Sequence, residues 1–312
     1  MPTLTQLEYI VTVERLKHFG NAARACHVSQ PSLSMQIMKV EDEVGIKIFD
    51  RLKKPVLATE KGRRFIEQAK TILREHKKLL DLAKNDAAQL SGDFRLAIIP
   101  TLTPYLLPLF IEDFSLKCPN VRLKVDELKT EVIIRELNED ALDAAILATP
   151  LNESGIRERP LFYEPFSLYV NATHPLARTK RIREKELDGS DMWLLQDGHC
   201  LRNQVVKVCS IKREKGVFKN VHFEGGNLET LRYLIKTSRG CTLMPRLFLN
   251  TLSESEKREF VREFEHPAPH REVSLVYRRD QWKSDILDAI ERSILARIPN
   301  DLPRKKIHVI GI

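Results

Sequence analysis

The sequence predicts three parts in series: a winged helix-turn-helix head, a long linker helix and a two-lobed α/β domain. Three observations carry this. The first 59 residues hold short helical patterns around a tight break, followed by a basic hairpin pattern. Residues 60–90 hold a helix-length run with apolar residues at spacings of three and four. From residue 91 onward apolar strand-like segments alternate with amphipathic helical ones, the pattern of parallel βαβ units. A chain of 312 residues has the length of two or three domains. The expected boundaries are 1–59, 60–90 and 91–312, the last divided into lobe I (about 91–162 and 270–300) and lobe II (about 163–269).

Composition narrows the function classes. With 42% hydrophobic and 30% charged residues the chain can fill ordinary cores, and 16 Pro and 12 Gly are too few for a low-complexity chain. No apolar run reaches membrane-spanning length, and the N-terminus lacks a basic stretch followed by an apolar one. A cytoplasmic protein is therefore expected. The net charge is +8, and residues 1–88, with 16 Lys/Arg against 11 Asp/Glu, carry +5 of it. Positive charge concentrated in the first quarter suits a nucleic-acid-binding head. Five widely spread cysteines, Cys26, Cys118, Cys200, Cys209 and Cys241, argue against a secreted disulfide scaffold and for reduced thiols.

In the head, Leu4, Leu7, Ile10 and Val11 recur at helical spacing. Ala22, Ala23 and Ala25 make a second, closely packing helix over about 20–27. After a break at Val28, Ser29 is a candidate N-cap, and Pro31 fits the first turn of a third helix, where no backbone donor is needed. Leu33, Ile37, Val40 and Val44 form its apolar face, which leaves Gln30, Ser32, Ser34, Gln36 and Lys39 on other faces. Small polar side chains near the start of such a helix reach base edges in the major groove of double-stranded DNA. The expected DNA-facing set is Ser29, Gln30, Pro31, Ser32, Ser34, Gln36 and Lys39. Arg51 and Lys53, with Lys54, lie on a hairpin wing over about 46–59, near phosphates or the minor groove. A three-helix structural domain with a solvated basic hairpin is the bland alternative. In the linker run, Phe65, Ala69, Ile72, His76, Leu79 and Ala83 form a coiled-coil-like seam with one polar member, which predicts a homodimer.

The runs FGNAARACHVSQPSLS (19–34), EDEVGIKIFDR (41–51) and LATEKG (57–62) resemble the winged head of LysR-type transcriptional regulators. That resemblance is continuous over about the first 65 residues. It implies a dimerising linker helix, a periplasmic-binding-protein-like regulatory domain and assembly as a tetramer on extended operators, with RNA polymerase as a partner.

Beyond the linker, strands are expected at 94–100, 121–129, 142–148, 161–171, 193–195, 221–223, 241–245 and 273–277. Helices are expected at 104–117, 131–138, after Leu201, at 228–237 and at 284–297, with the last pieces returning to lobe I. Two lobes crossed by the chain make a cleft, a usual ligand position. No Walker, GxGxxG or metalloprotease motif is present, so no cofactor is expected.

The sharpest local feature is the pair Cys200 and Cys209. Cys200 follows Gly198 and His199 near the start of an amphipathic helix, where the helix dipole and nearby cations, His199 and Arg202, favour a thiolate. If the nine intervening steps stay helical, the two Cα atoms stand ~13 Å apart. A disulfide needs about 4.4–6.8 Å, so bonding the pair requires unwinding. Two inert buried cysteines remain an alternative, as does a zinc site using His199, Cys200 and Cys209.

The segment DGHCLRNQ (197–204) with its second cysteine, IPTLTPYLLP (99–108), NLETLR (227–232) and LVYR (275–278) resemble the peroxide-sensing branch of the LysR-type family. The resemblance implies that hydrogen peroxide is the ligand, Cys200 the peroxidatic cysteine and Cys209 the resolving one. Thr101, Thr130, His199 and Arg271 are then the polar groups around the peroxide. It also implies glutaredoxin or thioredoxin as reductant and control of oxidative-stress genes, not a metabolic enzyme. Asn203 departs from the pattern, standing where that branch often has Asp. A LysR-type regulator responding to a small metabolite in the cleft and a thiol peroxidase are the competing readings. Cys26, Cys118 and Cys241 are expected to be structural.

Overall fold

The computed structural model describes residues 1–84, 90–209, 217, 225–305 and 308–312, with only the backbone of 81–84. The chain divides into two compact units, Met1–Asp86 and Ala87–Ile312.

In the first unit, α1 (Leu4–Leu16) starts at a reciprocal cap between Thr3 and Gln6. Helix α2 (Phe19–Ala25) and α3 (Gln30–Val44) follow, separated by a turn in which His27 has φ 56°. Ser29 caps α3 by accepting the Ser32 N–H at 3.3 Å, and Gly45 ends the helix in the left-handed region at φ 70°. The wing is the antiparallel pair β1 (Phe49–Asp50) and β2 (Leu57–Ala58). Ile10, Val13, Ala22, Leu33, Ile37, Val40 and Ile48 are fully buried in one core. One charge sits inside it. Glu41 Oε1 accepts the N–H groups of Ile48 (2.7 Å) and Phe49 (3.2 Å), while Oε2 pairs with Arg51 at 3.2 Å. The carboxylate thus fixes the wing to α3.

Helix α4 (Glu60–Lys84) does two jobs along its length. Ile66 and Ala69 are buried in the head, whereas Ile72, Leu79 and Leu80 are exposed. Of the expected seam, Ala69 is buried, Phe65 is half-buried against the head's core, His76 is half-buried, and Ile72 and Leu79 are exposed. The side chain of Ala83 lies outside the described residues.

The second unit opens as expected, with β3 (Ser91–Ile98), α5 (Thr103–Lys117), β4 (Asn120–Glu127), α6 (Thr130–Asn138) and β5 (Ala144–Thr149). Strand β3 runs parallel to both β4 and β5. The chain continues through β6 (Ile156–Val170), β7 (Arg181–Ile182), α7 (Cys200–Val208), α8 (Leu228–Thr237), β8 (Cys241–Pro245), α9 (Arg246–Leu249), α10 (Glu254–Phe260), β9 (Val261–Phe264), β10 (His270–Arg278) and α11 (Ser284–Arg297). The sheet order is β4-β3-β5-β10-β6-β9-β7, with β8 also on β6. Strand β10 is antiparallel to β5 and β6. Strand β6 changes partner along its length: residues 156–165 pair with β10, and 166–170 pair with β8.

Two expectations need correction. Trp193–Leu195 is not a strand. Among the described residues this stretch takes part in isolated bridges alone, Met192 with Cys241 and Leu195 with Gly225. Strand β9 was not anticipated, since its segment, VREF, carries a charged pair between its two apolar residues. The strand expected at 221–223 lies outside the described residues.

Gly62, in the first turn of α4, has no room for a side chain: an added Cβ would lie 2.0 Å from the Ile48 carbonyl oxygen. Gly62→Ala is expected to push α4 off the wing and destabilise the head by ~2–3 kcal/mol or more, the range of overpacked cores. Faster amide exchange at Ile48 and Phe49, with exchange in β3 and β5 unchanged, is the expected readout.

Candidate functional site

Parallel strands gather the site. Thr101 lies in the turn after β3, Thr130 opens α6 just after β4, and the end of β5 lies beside them. Ligands in α/β sheets collect at the carboxyl ends of parallel strands. The antiparallel return of β10 brings its first residues to the same edge, since Glu272 pairs with Thr149 at the end of β5. Arg271 is thereby placed there too, opposite Glu164 on β6.

Cys200 is the first residue of α7, and His199 is its N-cap. Thr130 Oγ1 lies 2.5 Å from Cys200 Sγ. Both side chains are buried, as are Thr101, His199 and Arg271. The Arg271 guanidinium donates to Thr101 Oγ1 (3.1 Å) and to the Thr101 carbonyl oxygen (3.3 Å), and pairs with Glu164 at 2.7 Å. Glu164 in turn accepts the Leu247 N–H at 2.6 Å. Burial pushes the Cys200 thiol up; the Thr130 hydrogen bond and then the Arg271 charge pull it back only in part. Burial thus opposes the thiolate that the helix start favours, while Thr130 and Arg271 stand in place to stabilise it.

The cations expected near Cys200 are also corrected. Arg202 pairs with Asp197 at 2.7 Å and donates to the Leu195 carbonyl oxygen, so it braces the turn before the helix. Burial, followed by the charge of Lys129, holds the His199 imidazole below its usual range and therefore neutral. Its Nε2 lies 3.2 Å from the point where a Cβ on Gly226 would stand, and it has no hydrogen-bond partner among the described residues. Asn203 is exposed on α7.

Helix α7 separates the two thiols. Cys209 caps its C-terminal end with its N–H bonded to the Val205 carbonyl oxygen at 3.0 Å, and both cysteines are free. Cys209 is pushed up to about 12 by burial and then by Glu184. The helix is anchored by its apolar side chains Leu201, Val205 and Val208, all buried. Polar contacts hold it as well: Gln204 Nε2 donates to the Ile310 carbonyl oxygen (3.0 Å) and Lys207 Nζ to a main-chain oxygen of Ile312 (2.6 Å).

Sequence reasoning missed Glu164 and Lys129. A Glu inside the apolar run of β6 was the available signal, because a buried carboxylate requires a partner. Lys129, the N-cap of α6, donates to the Asp197 carbonyl oxygen at 3.3 Å, and nothing in its local sequence marks it.

In the head, Ser29 caps α3 and bonds Ser32, Arg51 donates to Ser34 Oγ (2.8 Å), and Gln36 accepts from Gln6 Nε2 (2.8 Å). Arg51 also stacks over Phe19. Gln30, Pro31, Ser32, Lys39 and Lys53 are exposed.

The fold and this arrangement define a two-unit DNA-binding regulator. The chain belongs to the LysR family: residues 4–63 match the model "Bacterial regulatory helix-turn-helix protein, lysR family", and residues 87–297 match the LysR substrate binding domain. Among its relatives is the "DNA-binding transcriptional dual regulator OxyR" of Escherichia coli strain K12, 35% identical over 297 residues and covering 95% of each chain. A "Hydrogen peroxide-inducible genes activator" of Haemophilus influenzae is 37% identical over 275 residues, covering 88% of this chain and 90% of the relative. A full-length OxyR mutant from Pseudomonas aeruginosa superposes with a TM-score of 0.75 at 32% identity, covering 96% of this chain and 99% of that one. An H2O2-bound mutant of OxyR from Corynebacterium glutamicum gives a TM-score of 0.62 at 28% identity, covering 95% and 92%.

Two outcomes follow from the site. Thr130→Val removes the hydroxyl on Cys200 Sγ, so the thiol rises further; oxidation by peroxide at pH 7 should slow by about tenfold, equivalent to ~1.4 kcal/mol, as followed by stopped-flow fluorescence. His199 and His270 are both held neutral by burial. Below about 6.5, the ordinary imidazole value, the unfolded chain takes up protons that the folded protein refuses, so stability falls as pH falls. Thermal unfolding should begin earlier at pH 5.5 than at pH 7.5, and His199→Gln should narrow that gap.

Proposed function

We propose that this LysR-family regulator senses hydrogen peroxide through Cys200 and Cys209 and reports it by refolding the segment between them. One arrangement carries the reading: a buried thiol with Thr130 on its sulfur and the Arg271 charge beside it, joined by a wound helix to a second free thiol. The names of the relatives at 35–37% identity support the ligand.

In the first step Cys200 gives up its proton, with the neutral His199 next to it in sequence as the acceptor, and its sulfur attacks one peroxide oxygen. The O–O bond breaks. Cys200 becomes a sulfenic acid, and the departing hydroxide takes the proton back from His199 and leaves as water. Arg271 and Thr130 stabilise charge on sulfur and on the leaving oxygen, and Thr101 orients the guanidinium. Glu164 keeps Arg271 in place but shares its charge, which tempers its pull on the sulfur. In the second step the Cys209 thiol attacks the sulfenic sulfur, a disulfide forms and a second water is released. Cys209, with its pKa at about 12, enters this step as a thiol and supplies that proton.

Winding holds the Cα atoms of the pair ~13 Å apart, so the second step unwinds α7 and releases Leu201, Val205 and Val208 from the core. Each such side chain contributes about 1.5–3 kcal/mol of burial, the scale of the ~5.5 kcal/mol that inverts a two-state equilibrium. The lost burial raises the disulfide's reduction potential by ~30 mV per 1.4 kcal/mol, within reach of cytoplasmic glutaredoxin or thioredoxin. The remodelled lobe changes packing within a homodimer or homotetramer and respaces the heads on operator DNA. There Ser29, Gln30, Pro31, Ser32, Ser34, Gln36, Lys39, Arg51 and Lys53 line the contact, and RNA polymerase is the downstream partner. The chain acts as a switch, not as a turnover enzyme.

Mass spectrometry of peroxide-treated protein should find a Cys200–Cys209 disulfide, and DNA footprints of reduced and oxidised protein should differ in length. Cys200→Ser should abolish both changes. A footprint that responds to a metabolite but is indifferent to Cys200→Ser would favour cleft sensing. Sustained peroxide turnover with a dithiol and an unchanged footprint would favour a thiol peroxidase.

A further inference from the structure

We propose that Met35 is a base-reading side chain, and that its target is the methyl group of thymine in the major groove. The inference rests on α3 being the helix that enters DNA, and it adds a specificity residue absent from the polar set named above. Successive residues on a helix turn by about 100°. The buried residues Leu33, Ile37, Val40 and Glu41 fix the inward face of α3. Met35, two steps from both Leu33 and Ile37, falls almost opposite the centre of that face. It is 57% exposed, with Met38 on its flank at 41%.

The neighbours sharpen the assignment. Ser34 accepts from Arg51, Gln36 accepts from Gln6, and Ser29 caps the helix. Each of these three polar side chains thus spends one oxygen on a contact within the head, and keeps only its remaining donors for DNA. At the crest of the helix, between Pro31, Ser32 and Lys39, stands an unbranched apolar side chain that the head does not cover. Phosphates and most base edges offer such a side chain nothing. The one apolar group that a base pair displays in the major groove is the C5 methyl of thymine. Met35 lies in the second turn of α3, near the N-terminal end that helix-turn-helix proteins direct at base edges.

Uracil is thymine without that methyl, so the test changes one carbon of the DNA. Duplexes are enriched from a random pool by the full-length wild-type protein. Each thymine of a half-site is then replaced singly by deoxyuridine, and affinity is measured for wild type, Met35→Ala, Met35→Leu and Met35→Gln. At one or two thymines per half-site, wild type and Met35→Leu should lose about fourfold, the worth of one buried methyl. Met35→Ala should lose nothing there. Met35→Gln should shift its preference toward adenine, whose N6 and N7 a glutamine pairs with. Equal deoxyuridine losses in wild type and Met35→Ala, or no loss at any thymine, would overturn the assignment while leaving α3 as the DNA-binding helix. Failure of the wild type to enrich any duplex would overturn both.

Discussion

Helix α7 imposes the constraint on which the rest of the regulatory unit depends. It is a short helix with a thiol at each end, and a helix is a rigid spacer: for as long as its backbone hydrogen bonds hold, the two sulfurs cannot meet. What keeps it wound is packing. Leu201, Val205 and Val208 are inside the core, and Gln204 and Lys207 grip main-chain oxygens of the 310–312 segment. A helix this short has little stability of its own, so its persistence reflects those tertiary contacts. Chemistry that draws Cys200 toward Cys209 therefore acts against packing, and the energy of a covalent bond becomes a change of shape.

The second element is the ion pair between Arg271 and Glu164, held in a fully buried cross-strand position. Removing one partner of such a pair leaves a bare buried charge and costs about 3–5 kcal/mol. Arg271 is consequently structural and electrostatic at once: it ties β10 to β6 and to the turn at Thr101, and from that fixed position its charge reaches Cys200. A thiol raised by burial and lowered by these partners is quiet at rest. It gains the most from them when charge develops on sulfur.

Much of this was legible in the residues. The cap at Ser29, the periodicity of α3 and the parallel strand–helix alternation from β3 to β5 are local signals, and they placed those elements correctly. The nine-residue spacing of Cys200 and Cys209 already states the distance problem. What could not be read was long-range. Glu164 meets Arg271 across 107 positions, and Lys129 meets Asp197 across 68. The resting state of Cys200 also depends on burial contributed by elements far along the chain, so local cations misled. In the head, likewise, the contacts of Arg51 with Glu41, Ser34 and Phe19 are long-range and were not legible locally.

Amide hydrogen exchange of α7, measured on reduced protein and on protein oxidised with one equivalent of peroxide, tests the central claim most directly. The account predicts protected amides over residues 204–209 in the reduced form. Those amides should lose protection when the disulfide forms, while β3, β5 and β10 stay protected. A disulfide between Cys200 and Cys209 with unchanged protection across α7 would contradict it.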